Sequence, residues 1–165
     1  MLVMGIDPGL SRCGYGVVRQ KGRATEAAAA GVIRTDKDDP LPRRLHELQN
    51  ELAELLGAYR PDAVAVEQVL FQVNVRTAMA VGQASGVAMA AAVGAGAQVF
   101  EYSPTQIKKA VTGWGGADKE QMGKMVQTLL GLRQPLKPVD AADAVAVALC
   151  HLAHRPAASR IWAAT

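Results

Sequence analysis

The chain has 165 residues, a formal net charge of +3 and hydrophobic side chains at half its positions, a length that suits one domain with a core needing neither disulfides nor a structural metal. No run approaches the roughly 18 uninterrupted apolar residues of a membrane span, and the first residues carry no signal-peptide pattern, so a cytoplasmic protein without a membrane partner is expected. Cys13 and Cys150 stand far apart in apolar surroundings and read as buried thiols rather than a bridge or a nucleophile.

Leu2, Val3, Met4 and Ile6 make a short apolar run that Asp7-Pro8-Gly9 stops, because proline and glycine impose a turn. Asp7 is thereby placed at a strand end. Residues 14–19 and 27–34 read as two further strands of an antiparallel meander, although the alanines of the second favour helix. From Pro40 the period changes: Leu41, Leu45, Leu48, Leu52, Leu55 and Leu56 recur at helical spacing, and the helix ends near Tyr59-Arg60-Pro61. Residues 62–69 form an apolar strand interrupted by Glu67, and its place after a helix makes it parallel to the first strand.

Asn74 can cap a long helix, rich in alanine and glycine, that runs to about Val93, and strand character returns from Gln98 to Tyr102. Pro104 opens a short helix carrying Lys108 and Lys109, Gly113-Trp114-Gly115-Gly116 breaks it, and Asp118 can cap another helix through about Leu132. The last helix starts near Val139-Asp140 and ends near His154. The expected fold is α/β, a mixed five-stranded sheet flanked by helices, with residues 1–155 as one domain and 156–165 as a mobile tail.

Four carboxylates carry the chemistry. Asp7 and Glu67 fall where two adjacent parallel strands end, and open α/β sheets gather ligands outside those carboxyl ends. Asp before Pro-Gly is also ordinary turn chemistry, but a glutamate closing an apolar strand needs a cation, a hydrogen-bond network or a metal. Asp140 and Asp143 lie three apart, on one face of the last helix's first turn, although helix starts favour aspartate for capping alone. If that helix begins near the strand ends, the four acids share one hard oxygen-ligand pocket suited to Mg²⁺, with Mn²⁺ as a substitute. Two ions about 3.5–4 Å apart would activate a water and stabilise the leaving oxygen of a phosphodiester. The same crowding predicts that Asp140→Asn is neutral or stabilising without metal. With four of the 15 acidic residues set aside, eleven face 18 basic ones, a surplus that fits a polyanionic partner.

Five stretches in order, Gly5-Ile6-Asp7-Pro8-Gly9, Val66-Glu67-Gln68-Val69, Gly82-Gln83-Ala84-Ser85-Gly86-Val87, Phe100-Glu101-Tyr102 and Asp140-Ala141-Ala142-Asp143-Ala144, resemble the RuvC family of Holliday-junction resolvases. The resemblance runs from about Met1 to His154. It implies a ribonuclease H-like fold and a homodimeric, Mg²⁺-dependent endonuclease that makes paired, symmetric nicks in four-way DNA junctions during recombination and repair, with a branch-migration helicase as partner. It assigns Asp7, Glu67, Asp140 and Asp143 to metal and catalysis, and places Lys108 and Lys119 near the scissile backbone.

Lys109 and Arg76 join these lysines as candidate DNA contacts, although lysines on a helix are also an ordinary solvated face. The family often has an aromatic directly after Glu-Gln-Val, where this chain has Leu70 followed by Phe71, so either residue is a candidate to probe the junction. Trp114, in its glycine-rich loop, is a base-stacking residue or a packing residue. Two other classes are consistent with parts of the pattern: a junction-binding module without chemistry, and an actin-like phosphotransferase with an Asp-x-Gly turn. The second needs two such domains, and no Walker glycine-lysine motif is present.

Overall fold

In the computed structural model, residues 1–69 and 75–158 are described, the last four by backbone alone. Three strands, β1 (Leu2–Asp7), β2 (Arg12–Lys21) and β3 (Ala24–Arg34), form the expected antiparallel meander. Helix α1 (Leu41–Tyr59) then crosses to β4 (Ala63–Glu67), which pairs parallel to β1, and α2 (Val75–Gly94) leads to β5 (Gln98–Tyr102), parallel to β4. The sheet order is β3-β2-β1-β4-β5. Three helices close the chain: α3 (Pro104–Thr112), α4 (Lys119–Leu129) and α5 (Val139–Ala158).

Strand alternation divides the core between the two faces of the sheet. Met4, Ile6, Val17, Val64 and Val66 pack on one face with Leu48, Leu52 and Leu56 of α1 and Ala84, Ala88 and Ala92 of α2. Val3, Val18, Ala65 and Tyr102 pack on the other with α3, α4 and α5. The alanine-rich β3 is a strand despite its propensity because it pairs along nearly all of β2, which satisfies the backbone groups on its inner edge.

The start of α4 coincides with the Asp118 cap read from sequence, and α3 has a cap at Ser103, directly before the Pro104 expected to open it. Ser103 and Asp118 each accept from a backbone N–H three residues on, and Gln106 and Gln121 reciprocate, so both α3 and α4 open with capping boxes. α4 ends at Leu129, short of Leu132, where Gly131 takes a left-handed conformation. α5 runs four residues past the end expected near His154; residues 159–165 of the expected tail, and the Asn74 cap, lie outside the described residues.

By length and composition α2 is apolar enough to cross a bilayer, with a mean hydropathy of 1.3. In the fold its small residues Ala78, Ala84, Ser85, Ala88 and Ala92 face inward, while Val75, Met79 and Val93 stand exposed.

Candidate active site

Asp7 shares its side of β1 with Val3 and Gly5, and Glu67 shares its side of β4 with Ala65, so both carboxylates project on the face that α5 covers. The parallel register pairs Ile6 with Val66, placing the two acids side by side as their strands end.

What brings α5 to them is a glycine track. A Cβ on Gly14 would stand 2.1 Å from the Asp140 carbonyl oxygen, and one on Gly5 2.0 Å from that of Ala144. A Cβ on Gly16, the cross-strand partner of Gly5, would stand 2.8 Å from the Val145 backbone nitrogen. With no side chains in the way, α5 lies directly on β1 and β2, and its first turn overhangs Asp7.

Asp143 and the two strand acids line one pocket of about 230 Å³ together with Lys108, Lys119, Pro104, Ile107, Met122 and Ala146. Asp140 lies outside its walls. The guanidinium of Arg12, the first residue of β2, donates to Asp140 Oδ2 through Nε at 3.0 Å and again through Nη2. Among the described residues no three acids, histidines or cysteines already converge on one ion position.

The electrostatics follow from this placement. Burial, then the charges of Glu67, Asp143 and Asp140, push the Asp7 carboxyl up to about 7. Burial and Asp143 also raise Glu67, with Lys119 and Lys108 opposing. Asp140 moves the other way, because its hydrogen bond to Arg12 holds the carboxyl below its ordinary value. The expectation that removing its charge would relieve crowding is therefore transferred to Asp7.

Lys119 is the first residue of α4, where the helix macrodipole opposes a positive charge. It is held there by Asp143, to which its Nζ donates at 3.2 Å, and that carboxylate is the main cause of its raised pKa. The donor set, carboxylate oxygens whose charges hinder one another's ionisation, fits a hard divalent cation. Asp7, Glu67 and Asp143 would hold it from the pocket, and Asp140 after release from Arg12.

A second recess of about 460 Å³ continues from Asp7, Glu67 and Lys108 past Gln68 and Val69 to Thr77, Ala78 and Val81 at the start of α2. Arg76 is exposed in that first helical turn. Lys109 is exposed on α3, outside both recesses. Trp114 is also exposed. Leu70 and Phe71 lie outside the described residues.

The histidines that follow Asp143 on α5 have other partners. His151 is buried and its Nδ1 pairs with the Tyr102 hydroxyl at 2.9 Å, while His154 meets the Cys150 carbonyl. Cys13 and Cys150 are free and buried, and burial pushes each thiol up to about 12.

Sequence reasoning missed Arg12 and the glycine track. The track had a signal, since Gly14 and Gly16 occupy alternate positions of one strand and so share a face; Arg12 had none, being 128 residues from its partner.

A mixed sheet in this order, with acids at the carboxyl ends of its two central parallel strands and on the covering helix, defines a ribonuclease H-like domain carrying a carboxylate site. Residues 3–151 match the family described as crossover junction endodeoxyribonuclease RuvC. A relative of that name from Salinispora arenicola is 53% identical over 99% of this chain and 94% of its own length. One from Rubrobacter xylanophilus is 50% identical over 96% and 89%. The structure of Thermus thermophilus RuvC in complex with Holliday junction substrate superposes with a TM-score of 0.89 at 39% identity, covering 93% of this chain and 94% of that one. The chain belongs to the RuvC family of crossover junction endodeoxyribonucleases.

Proposed function

We propose that this protein resolves four-way DNA junctions by hydrolysing phosphodiester bonds in two opposed strands. The observation that carries the reading is the pocket in which Asp7, Glu67 and Asp143 meet Lys108 and Lys119, within a chain whose close structural neighbour holds a Holliday junction. Bound Mg²⁺, or Mn²⁺ in its place, would supply an activated water and stabilise the leaving oxygen.

The chain's own residues do the rest. Asp7 and Glu67 are fixed by strand pairing, so they present a rigid acidic floor. Lys108 and Lys119 stand at its rim, where a positive charge both holds a substrate phosphate and offsets charge developing on it. The recess toward Thr77 and Val81 gives the strand a path past Arg76, and Lys109 adds positive charge on α3. Leu70 and Phe71, between Val69 and α2, are the proposed junction probes.

Paired nicks in a symmetric junction need two such sites, and one chain supplies one, so a two-fold homodimer is the functional unit. The outer face of α2 supports this: Val75, Met79 and Val93 are exposed along it, and Gly82 and Gly86 between them leave open space, as close approach of a second copy requires. Family membership supports a branch-migration helicase as partner and a cytoplasmic place of action.

The test is cleavage of a labelled four-way junction by wild type and by Glu67→Gln, with and without Mg²⁺. The variant should bind the junction and leave it intact, since it loses an acid and no basic contact. Cutting near the wild-type rate would overturn the assignment, and a wild type that binds without cutting at any Mg²⁺ concentration would make the chain a junction-binding module.

A further inference from the structure

The two acids of the last helix are each gripped by a base, and the two grips differ in consequence. Asp143 accepts from Lys119 and remains in the wall of the pocket it shares with Asp7 and Glu67. Asp140 accepts from Arg12 and stands outside that wall. Both nitrogens that Arg12 offers converge on the same oxygen, Oδ2.

The reach of Arg12 is built into the fold. It stands two residues before Gly14, the position against which the Asp140 carbonyl rests. The loop that delivers it is pinned from the other face: the Thr35 hydroxyl donates to the Leu10 carbonyl at 2.6 Å, and Arg44 donates to Ser11 Oγ at 2.6 Å and to Thr35 Oγ1 at 3.0 Å. Arg12 and α5 thus have fixed backbones, and only their side chains are free to part. Arg12 is 44% exposed and Asp140 28%, so the pair can open without unpacking the core.

We propose that Arg12 is a positioning residue, a latch that keeps Asp140 out of the metal pocket of the metal-free protein and yields it to an incoming divalent cation. The latch rests on the reading of Asp140 as a metal ligand. A guanidinium and a cation that require the same carboxylate oppose one another by linkage: whatever stabilises the latched arrangement weakens cation binding by the same factor. Asp140 is then the last acid to join the site, after the three that already line it.

The test is a calorimetric titration of Mn²⁺ into the metal-free protein without DNA, for wild type, Arg12→Ala, Arg12→Lys, Asp140→Asn and the Arg12→Ala/Asp140→Asn double variant. Arg12→Ala should bind Mn²⁺ roughly two- to fivefold more tightly, the range expected for a half-exposed ion pair. Arg12→Lys should fall between, since one ammonium cannot place two fixed donors on one oxygen. In the Asp140→Asn background the gain should vanish.

Unchanged or weaker binding by Arg12→Ala would overturn the latch and make Arg12 an outer support of the ligand. A gain that persists in the double variant would also overturn it, as a general effect of removing a positive charge. If Asp140→Asn alone leaves Mn²⁺ affinity untouched, Asp140 is no ligand and the underlying site reading fails. Melting curves of the metal-free variants confirm that each is folded.

Discussion

Replacing Asp7 by Asn should stabilise the metal-free protein, by an amount set by pH. The Asp7 carboxyl stands at about 7 in the folded chain against 3.8 ordinarily. Below the unfolded value both states are protonated and Asp7 costs nothing. As pH rises from there toward 7, the unfolded chain gives up a proton that the folded chain keeps, so stability falls; above about 7 the whole cost is present. The interval corresponds to roughly 4 kcal/mol, and partial solvent access reduces this to roughly 2–4 kcal/mol. For a domain of this size that is on the order of 5–15 °C in melting temperature. Thermal melts in EDTA at pH 4.5 and pH 8.5 measure it: the variant should gain little at the lower pH and most of the increment at the higher. Saturating Mg²⁺ should shrink or cancel the variant's advantage, because only wild type then gains full binding stabilisation, about 2.7 kcal/mol at a hundred times Kd. An increment that is absent at pH 8.5, or equal at both pH values, would refute the burial of the Asp7 carboxyl beside the other acids.

Asp140→Asn should behave oppositely in EDTA, losing up to about 1 kcal/mol because it breaks a half-exposed ion pair with Arg12; a gain in melting temperature would show that crowding outweighs that pair. Lys119→Ala should slow cutting and make junction binding less salt-dependent, the logarithmic slope falling by about one for one lost phosphate contact. An unchanged slope in a salt titration would confine Lys119 to its bond with Asp143. Gly14→Ala should abolish cutting although no acid is altered, because its Cβ would stand 2.1 Å from the Asp140 carbonyl oxygen and must lift the start of α5. Wild-type cleavage by a folded Gly14→Ala protein would disprove that the glycine track sets the site. A mixed dimer with one Asp7→Asn subunit should nick one strand of its junction only, read on a denaturing gel; two nicks would exclude one site per subunit.

The sequence was most legible where a residue punctuates the chain. Asp7-Pro8-Gly9 ends β1, Pro104 opens α3 and Asp118 caps α4 as read. It was least legible where pairing or packing overrides local preference, as in the alanines of β3, which are held as a strand by β2. The same division runs through the site. Asp7 and Glu67 are legible because a strand end and strand alternation fix both position and direction. Asp143 follows from its helical spacing. Asp140 shares that spacing, yet its side chain is taken by an arginine 128 residues away, a choice decided by the tertiary fold. Membership of a helix face states where a carboxylate starts and leaves its rotamer to whatever charge is nearest.

This separates the rigid from the adjustable parts of the site. α5 supplies core residues, Val145, Val147 and Leu149 among them, and the same helix carries both acids. The backbone geometry of the acids is therefore held by the packing that stabilises the domain, and it cannot drift without loss of that packing. The bases are held differently: Arg12 and Lys119 are 44% and 81% exposed, and each contacts its acid through a long side chain. A bond of that kind is worth about 1 kcal/mol or less, well below what a divalent cation among several carboxylates provides. On the proposed reading the backbone is thus preorganised for a cation, and what would change on binding is confined to exposed basic side chains.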